Sequence, residues 1–393
     1  MKKLLILSLF LPSLLWANIC IQLDAQETPE YSFNDEIVIH AADGVEIHAN
    51  LFTPKGYLAP YPTVIFVNSW TQEEHEYINQ AKILASKGYQ VLSYSTRGFG
   101  CSGGTTDMVG PKDMNDVALV LDWLEANTQI DIKNVGMSGI SYGAGMSLMA
   151  LAKEPRIKTV AAMSGWGSMV DAIYHQNTPR LFWSSALLVS GWITGSTGRG
   201  YIELLQNLVK QENTEEAIAW AKSRSPLTWI ENINKLNKPV YLSNNFGDNL
   251  FQPNNILKYF NKLKVPKILD LNQGTHATGE ISGLFTVNNY TYKRMHNWFD
   301  YWLKDDLSID LNLNEITMQT DFKHKRIEIS EQELLFAREV ELNLTARNFL
   351  RNGKLVTGEA DKREDVDILY TGFDTRATTG IPILSSILDG HFK

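Results

Sequence analysis

Residues 139–143 read Gly-Ile-Ser-Tyr-Gly and have the residue types of a nucleophile turn. A short apolar run, Asn134 to Met137, precedes them, and a small and apolar run, Ala144 to Ala150, follows. A sharp turn from strand to helix crowds the backbone on both sides of its central residue. Glycines therefore flank a serine whose hydroxyl projects from the edge of the sheet. The pattern predicts that Ser141 is a nucleophile.

A serine hydroxyl needs a histidine to take its proton, and in this architecture an acid and then the histidine follow the serine along the chain. Of the eight histidines, His276 follows both Ser141 and a predicted strand, Ile268 to Leu271. The others precede the serine, lie in an insertion or a helix, or fall near the carboxyl end: His40, His48, His75, His175, His296, His324 and His391.

Three aspartates lie between the serine and the histidine. Asp248 follows a predicted strand, Val240 to Ser243, whereas Asp171 lies in the insertion and Asp270 in mid-strand. The carboxyl ends of parallel strands meet at one edge of a sheet, so side chains that follow different strands meet there. The order and placement predict a catalytic triad of Ser141, Asp248 and His276.

Acyl transfer also needs donors for the negative charge that develops on the carbonyl oxygen. The backbone N–H of Tyr142, next after the serine, is expected to supply one. The second is expected from Asn68-Ser69-Trp70, the loop after the predicted strand Thr63 to Val67.

A glycine motif at Gly98 to Gly103 matches GxGxxG after a predicted strand, Gln90 to Tyr94. A dinucleotide site needs a helix that opens at once after the glycines, but residues 104–111 hold further Gly, Thr and Pro and read as loop. We therefore expect no cofactor. No Cys or His cluster has metal-ligand spacing in the sequence, so no metal site is expected.

Short apolar runs alternate with helical periodicity through most of the chain, which predicts an α/β fold with a mostly parallel sheet and helices on both faces. Glu36 to His40 and Glu46 to Thr53 flank an Asp-Gly turn and predict a hairpin. The predicted helices are Glu73 to Lys87, Met114 to Asn127, Gly143 to Lys153, Asn254 to Leu263 and Tyr290 to Lys304; Thr159 to Met163 is a further predicted strand.

The interval between Met163 and Val240 is too long for a crossover and holds five of the ten tryptophans. We predict a helical cap over about residues 165–235 that roofs an apolar substrate pocket. The hydrolytic domain is expected over residues 18–310. Residues 311–393 are strand-like and predict a β domain that is partial or truncated, whose unpaired edges would favour a homodimer.

The first seventeen residues have a basic start, an apolar run from Leu4 to Trp16 and a small residue, Ala17. This layout is typical of a signal peptide cleaved after Ala17 and predicts a soluble protein exported to the periplasm or secreted, with no membrane anchor. Cys20 and Cys101 could pair in an oxidising compartment. The net charge of −8, without a basic block, argues against nucleic acid as a partner.

From about Asp43 to Asp305 the chain resembles the α/β-hydrolases of the cocaine esterase and Xaa-Pro dipeptidyl-peptidase family. The resemblance rests on Asp43-Gly44-Val45, on residues 96–104 (TRGFGCSGG), on the predicted triad and its turn, and on residues 298–304 (WFDYWLK). It implies an α/β-hydrolase fold, a serine triad at the three predicted positions, a helical cap and a carboxyl-terminal jelly roll.

The chain departs from the family pattern at three points. Trp70 stands where members place an oxyanion-binding Tyr, so its indole N–H would take that role; Ser95 replaces an Asp, and the histidine loop lacks Pro-Trp before His276. The resemblance implies a small peptide or acyl ester as substrate. We favour an Xaa-Pro dipeptidyl-peptidase-like activity. An acyl esterase and a catalytically silent binding protein on the same fold are the alternatives.

Overall fold

The computed structural model describes residues 22–195, 197–286, 288–320, 325–330, 341–345 and 355–359. The predicted signal peptide, Cys20 and most of residues 331–393 lie outside these ranges. Cys101 is disulfide-bonded. Among the described residues, no helix combines the length and apolar character needed to cross a membrane.

Eleven strands form one large sheet at the centre of the molecule. The strands of the chain are β1 Gln26–Glu27, β2 Tyr31–His40, β3 Glu46–Pro54, β4 Tyr61–Val67, β5 Gln90–Tyr94, β6 Ile130–Ile140, β7 Ile157–Met163, β8 Tyr174–His175, β9 Thr178–Pro179, β10 Val240–Asn245, β11 Lys267–Asn272, β12 Glu315–Gln319, β13 Arg326–Ser330, β14 Asn343–Leu344 and β15 Leu355–Val356. The sheet order is β1-β2-β3-β5-β4-β6-β7-β10-β11-β12-β13, and pairing is parallel from β5 to β12.

Helices cover both faces of this sheet. They are α1 Ile78–Ser86, α2 Pro111–Asn127, α3 Tyr142–Lys153, α4 Met169–Ile173, α5 Leu181–Thr194, α6 Arg199–Lys210, α7 Thr214–Ser223, α8 Ile230–Lys235, α9 Pro253–Lys262, α10 Thr278–Phe285 and α11 Tyr290–Leu303, with a 3-10 turn at Pro226–Trp229. Side chains of β4 alternate between two cores: Ile65 and Val67 pack with α2, α3 and α9, whereas Val64 and Phe66 pack with α1 and α11. A strand buried on both faces must be apolar throughout, as the sequence predicted.

The predicted α/β-hydrolase fold is confirmed. The strands β2 and β3 form the expected antiparallel hairpin. Each predicted parallel strand is present, and its ends differ from the predicted ends by at most about four residues. The interval between β7 and β10 is mainly helical and contains α4 to α8, together with the short β8–β9 ladder. This segment, residues 164–239, is called the cap below.

The boundary expected at residue 311 differs from the structure. Instead of opening a separate β domain, β12 pairs in parallel with β11, and β13 adds an antiparallel edge. Ile316, opposite Leu269, is fully buried. These strands extend the main sheet because β11 would otherwise expose an unpaired, apolar edge. Beyond them, β14 and β15 form a small separate ladder, and the rest of the predicted β domain lies outside the described residues.

The turn between β6 and α3 depends on glycine. A Cβ at Gly143 would lie 2.2 Å from the carbonyl oxygen of Val67, and one at Gly139 would lie 2.7 Å from the same oxygen. Both obstacles are backbone atoms of the neighbouring strand, which a rotamer change does not relieve. The helix carrying the serine therefore sits against β4 because these residues lack side chains.

We predict that Gly143→Ala lowers the free energy of unfolding by about 3 kcal/mol, because the strand and the helix must separate to admit the methyl group. The matched control is Gly200→Ala on α6, where a Cβ meets nothing within 4 Å. The control should change stability by no more than about 0.5 kcal/mol. Urea unfolding followed by tryptophan fluorescence measures both, and equal stability of the two variants would contradict this packing.

Candidate active site

Ser141 occupies the turn between β6 and α3 with backbone angles of φ 55° and ψ −110°. A serine at positive φ is strained, and the surrounding contacts hold it there. Its backbone N–H donates to the carbonyl of Met163 at the end of β7, 2.8 Å away. The residue is 8% exposed. The strained turn thus places the hydroxyl at the carboxyl edge of the sheet, in a site largely closed to water.

The structure brings the three predicted triad residues together. His276 Nε2 lies 2.8 Å from Ser141 Oγ, and His276 Nδ1 lies 2.7 Å from Asp248 Oδ2. The other carboxylate oxygen of Asp248 accepts the backbone N–H groups of Leu250 and Phe251 at 2.9 and 2.8 Å. These bonds fix the carboxylate, which in turn fixes the ring orientation and tautomer of the histidine.

The pKa of His276 is raised above its ordinary value of 6.5. Burial by itself lowers this pKa, but the charge of Asp248, the hydrogen bond to Asp248 and the charge of Glu280 outweigh it. Phe251 packs edge-on against the imidazole, with ring centroids 5.4 Å apart. The ring is therefore a base of increased strength in an apolar setting.

Among the described residues, the backbone N–H groups of Tyr142 and Trp70 donate to no backbone carbonyl, and both residues line the same cavity as Ser141. The expected role of the Trp70 indole is corrected: its Nε1–H donates to the carbonyl of Leu187 in the cap, 3.0 Å away. An indole held by the cap has no free N–H for an oxyanion. The backbone N–H of Trp70 replaces it as the second candidate donor.

The loop that carries Trp70 is tied to the serine turn by residues that the sequence did not single out. Glu76 accepts the backbone N–H and the hydroxyl of Ser69, both at 2.6 Å. The backbone N–H of Ile140 donates to the phenol of Tyr77 at 2.8 Å. Burial raises the pKa of Glu76 to about 7. These contacts set the distance between the two candidate oxyanion donors.

Tyr142 is held by a second buried acid, Asp113 at the start of α2. The phenol donates to Asp113 Oδ2 at 2.8 Å and lies 3.0 Å from the hydroxyl of Thr106. Asp113 is fully buried, and burial raises its pKa to about 7. No sequence motif identified this contact, because it joins residues 29 positions apart.

An apolar cavity opens beside Ser141. The cap and the sheet edge line it in roughly equal parts. The lining residues are Trp70, Met108, Ser141, Tyr142, Trp166, Met169, Ile173, Leu187, Tyr201, Trp220 and Phe251. Two of the five cap tryptophans, Trp166 and Trp220, therefore line the cavity. Among the described lining residues, none carries a charge.

The glycine motif at Gly98 to Gly103 serves the fold. Arg97, which precedes it, is buried and forms two bonds to Asp116, at 2.6 and 2.7 Å, and one to Asp43, at 2.8 Å. Ser95 donates its hydroxyl to Glu74. These contacts hold the loop in place. The next helix begins at Pro111, so the glycines do not lie at its N-terminus.

A cluster of Glu73, Glu74 and His75 has ligand atoms within 4.8 Å of one another. Its sequence, Glu-Glu-His, does not stand out, since a single histidine among acids is common. Nδ1 of His75 lies 3.0 Å from Glu73, and Nε2 lies 2.9 Å from Asp35. Both ring nitrogens are thus engaged by carboxylates, which hold the pKa of His75 at about 10 against the effect of burial. The cluster is accordingly assigned an ion-pairing role.

Comparison with known proteins relates the chain to a peptidase family. The family model of the X-Pro dipeptidyl-peptidases (S15 family) matches residues 43–278. An uncharacterized peptidase of Bacillus subtilis, YuxL, is 28% identical over 148 residues, which are 34% of this chain and 22% of that protein. The uncharacterized protein YcjY of Escherichia coli is 30% identical over 105 residues, 24% of this chain and 34% of that protein. The matched segments thus span about a fifth to a third of these relatives.

Solved structures share the fold. A CocE/NonD family hydrolase from Staphylococcus aureus superposes with a TM-score of 0.59 at 15% identity, over 80% of this chain and 58% of that one. An acylaminoacyl peptidase from Pyrococcus horikoshii superposes with a TM-score of 0.54 at 18% identity, over 72% of this chain and 44% of that one.

We predict that kcat/KM falls as the pH is lowered through a midpoint above 6.5, because a base must be unprotonated and the pKa of His276 is raised. Asp248→Asn removes the carboxylate that raises this pKa. It should lower kcat by about a thousandfold or more and move the midpoint to lower pH. A pH–rate profile with a small activated ester measures both. An acidic limb that is unchanged in Asp248→Asn would contradict the assignment of base and acid.

Proposed function

Because the chain belongs to the X-Pro dipeptidyl-peptidase (S15) family, we propose that it is a serine hydrolase that forms an acyl-enzyme on Ser141. The observation that carries the proposal is the hydrogen-bonded series Ser141–His276–Asp248 beside an apolar cavity. Nucleophile, base and orienting acid are each within hydrogen-bond reach of the next, as covalent catalysis by a weak hydroxyl nucleophile requires.

In the proposed mechanism, Ser141 Oγ attacks the substrate carbonyl carbon while His276 Nε2 takes the hydroxyl proton. The resulting oxyanion accepts the backbone N–H groups of Tyr142 and Trp70. His276 then gives the proton to the leaving group as the bond to it breaks, which leaves the acyl group on Ser141. A water molecule, deprotonated by the same imidazole, hydrolyses the acyl-enzyme.

The cavity favours a neutral, apolar acyl group as the substrate. A dipeptidyl-peptidase must hold a protonated amino terminus, and an ammonium buried without a carboxylate is costly. None of the described lining residues is acidic. Two acids of the cap lie outside this lining: Asp171 is paired with Lys258 at 2.8 Å, and Glu203 is exposed. We therefore place an acyl esterase activity ahead of the dipeptidyl-peptidase activity that the sequence favoured.

A catalytically silent binding protein is the remaining alternative. It has less support, since binding alone requires neither a strained serine nor a histidine aimed at its hydroxyl. We also propose that the protein is exported. The disulfide bond of Cys101 supports this, because disulfides persist in oxidising compartments.

We predict that a fluorophosphonate probe labels the wild-type protein and that Ser141→Ala abolishes labelling. The matched control is Ser147→Ala, since Ser147 is a buried serine of α3 whose hydroxyl donates to the carbonyl of Gly143. This variant should retain labelling at a rate within a few-fold of wild type. Gel fluorescence with peptide mapping measures it. A folded wild-type protein that resists the probe would rule out the proposed nucleophile.

We predict that p-nitrophenyl butyrate is hydrolysed with a kcat/KM at least about a hundredfold above that for alanyl-prolyl p-nitroanilide, because the cavity offers apolar surface and no partner for an ammonium. N-acetylation of the dipeptide substrate is the control and should increase its hydrolysis. Faster cleavage of the free-amine dipeptide than of either compound would instead establish the dipeptidyl-peptidase activity.

A further inference from the structure

Glu280 is a buried acid on α10, four residues after His276, that has no role in the mechanism described above. Its exposed fraction is 0%. No sequence pattern marks it, since the predicted helices do not include α10 and the acid of a triad is expected before the histidine. A carboxylate buried this completely is costly unless donors surround it.

Three polar side chains surround Glu280. The hydroxyl of Ser243 donates to one carboxylate oxygen, and the amide of Asn245 donates to the other at 2.8 Å. The hydroxyl of Ser164 also contributes a hydrogen bond. Ser243 and Asn245 lie at the carboxyl end of β10, and Ser164 lies directly after β7. Donors from two strand ends therefore converge on one buried acid, which favours its anionic form even though burial raises its pKa.

The same network joins the two loops that carry the acid and the base. Asn245 Oδ1 accepts the backbone N–H of Gly279 at 3.1 Å, next to Glu280. Asn245 ends β10, and the loop that carries Asp248 follows it. In this loop the backbone N–H of Gly247 donates to the carbonyl of Gly274, in the histidine loop, at 2.8 Å. Glu280 thus sits where the aspartate loop and the histidine loop are fastened together.

Few charges face His276 among the described residues. Asp248 contacts it from the loop after β10, and Glu280 acts on it from α10. From the cap, Trp183 and Phe182 present uncharged rings, and Arg180 interacts with Asp248 while its guanidinium donates to the carbonyl of Asn249 at 2.8 Å. Ser141 is neutral. Asp248 is thus the carboxylate in contact with the base, and Glu280 is a second one, held one helical turn after His276 by the network that joins the two loops.

We propose that Glu280 is a positioning residue that stabilises the imidazolium form of His276 through space while its network holds the histidine loop against the aspartate loop. During acylation the proton of Ser141 moves to His276, so a positive charge develops in a site with little water. A second fixed anion lowers the energy of that charge without touching the substrate. The kinetic consequence of this inference rests on the proposed function. The effect of Glu280 on the titration of His276 does not.

Glu280→Gln tests the proposal, because it removes the charge and keeps the size of the side chain, and its amide oxygen can still accept the hydrogen bond from Asn245. NMR titration of the His276 ring, assigned with His276→Gln, should give a pKa about one unit lower than in wild type. The acidic limb of kcat/KM should move to lower pH by the same amount. We expect kcat to fall by about tenfold with little change in KM, since the stabilised charge exists only after attack.

Asp270→Asn is the matched control. Asp270 is fully buried on β11 and paired with Arg294, and it is not among the groups that shift the pKa of His276. This variant should leave the titration of His276 unchanged. Equal His276 pKa values in Glu280→Gln and wild type, with both proteins folded by circular dichroism, would overturn the proposal. The NMR result stands whether or not the protein hydrolyses esters. Failure of the proposed function, seen as a wild type that resists fluorophosphonate, is thereby distinguished from failure of this inference.

Discussion

The hydrogen bond between His276 and Ser141 joins the carboxyl ends of two strands, β6 and β11, that are separated in the sheet by β7 and β10. Neighbouring strands lie about 4.8 Å apart, so the imidazole must reach over two intervening strand ends to find the hydroxyl. The strained turn at Ser141 raises the hydroxyl toward it, and Asp248, from the strand next to β11, holds the ring in place. The sheet order, the glycines beneath the turn and the buried acids around both loops all serve this one contact.

Much of this arrangement follows from local sequence. A strand, a Gly-x-Ser-x-Gly turn and a helix leave few positions for the serine, and the parallel order of strands then limits the acid and base to residues after later strands. Local sequence patterns do not predict contacts between residues that are far apart in the chain. Asp113 and Glu280 are acids buried by tertiary packing, Glu76 is half-buried by it, and their sequence neighbours give no sign of this. The role expected for the Trp70 indole was wrong because the cap, whose position no local pattern defines, supplies the carbonyl that takes its N–H.

The cap determines what the site can accept. Its residues close an apolar cavity over the serine, and the same segment fixes Trp70 in the wall through the carbonyl of Leu187. Specificity in such a site comes from shape and from the absence of a charged partner, and this is the ground for proposing small apolar acyl groups as substrates in preference to ammonium groups. The buried acids lie around the catalytic loops, outside the lining of the cavity. Glu76 and Asp113 hold Ser69 and Tyr142 in place, and Glu280 is the one for which we propose an effect on the base.

Mass spectrometry of the protein quenched during the first turnover of p-nitrophenyl butyrate tests the central claim most directly. An acyl-enzyme mechanism predicts a burst of one p-nitrophenol per chain and a butyryl group on the peptide that contains Ser141. The adduct should disappear as turnover ends and should be absent from Ser141→Ala. Undiminished turnover by Ser141→Ala, or a butyryl group on any other side chain, would contradict the account.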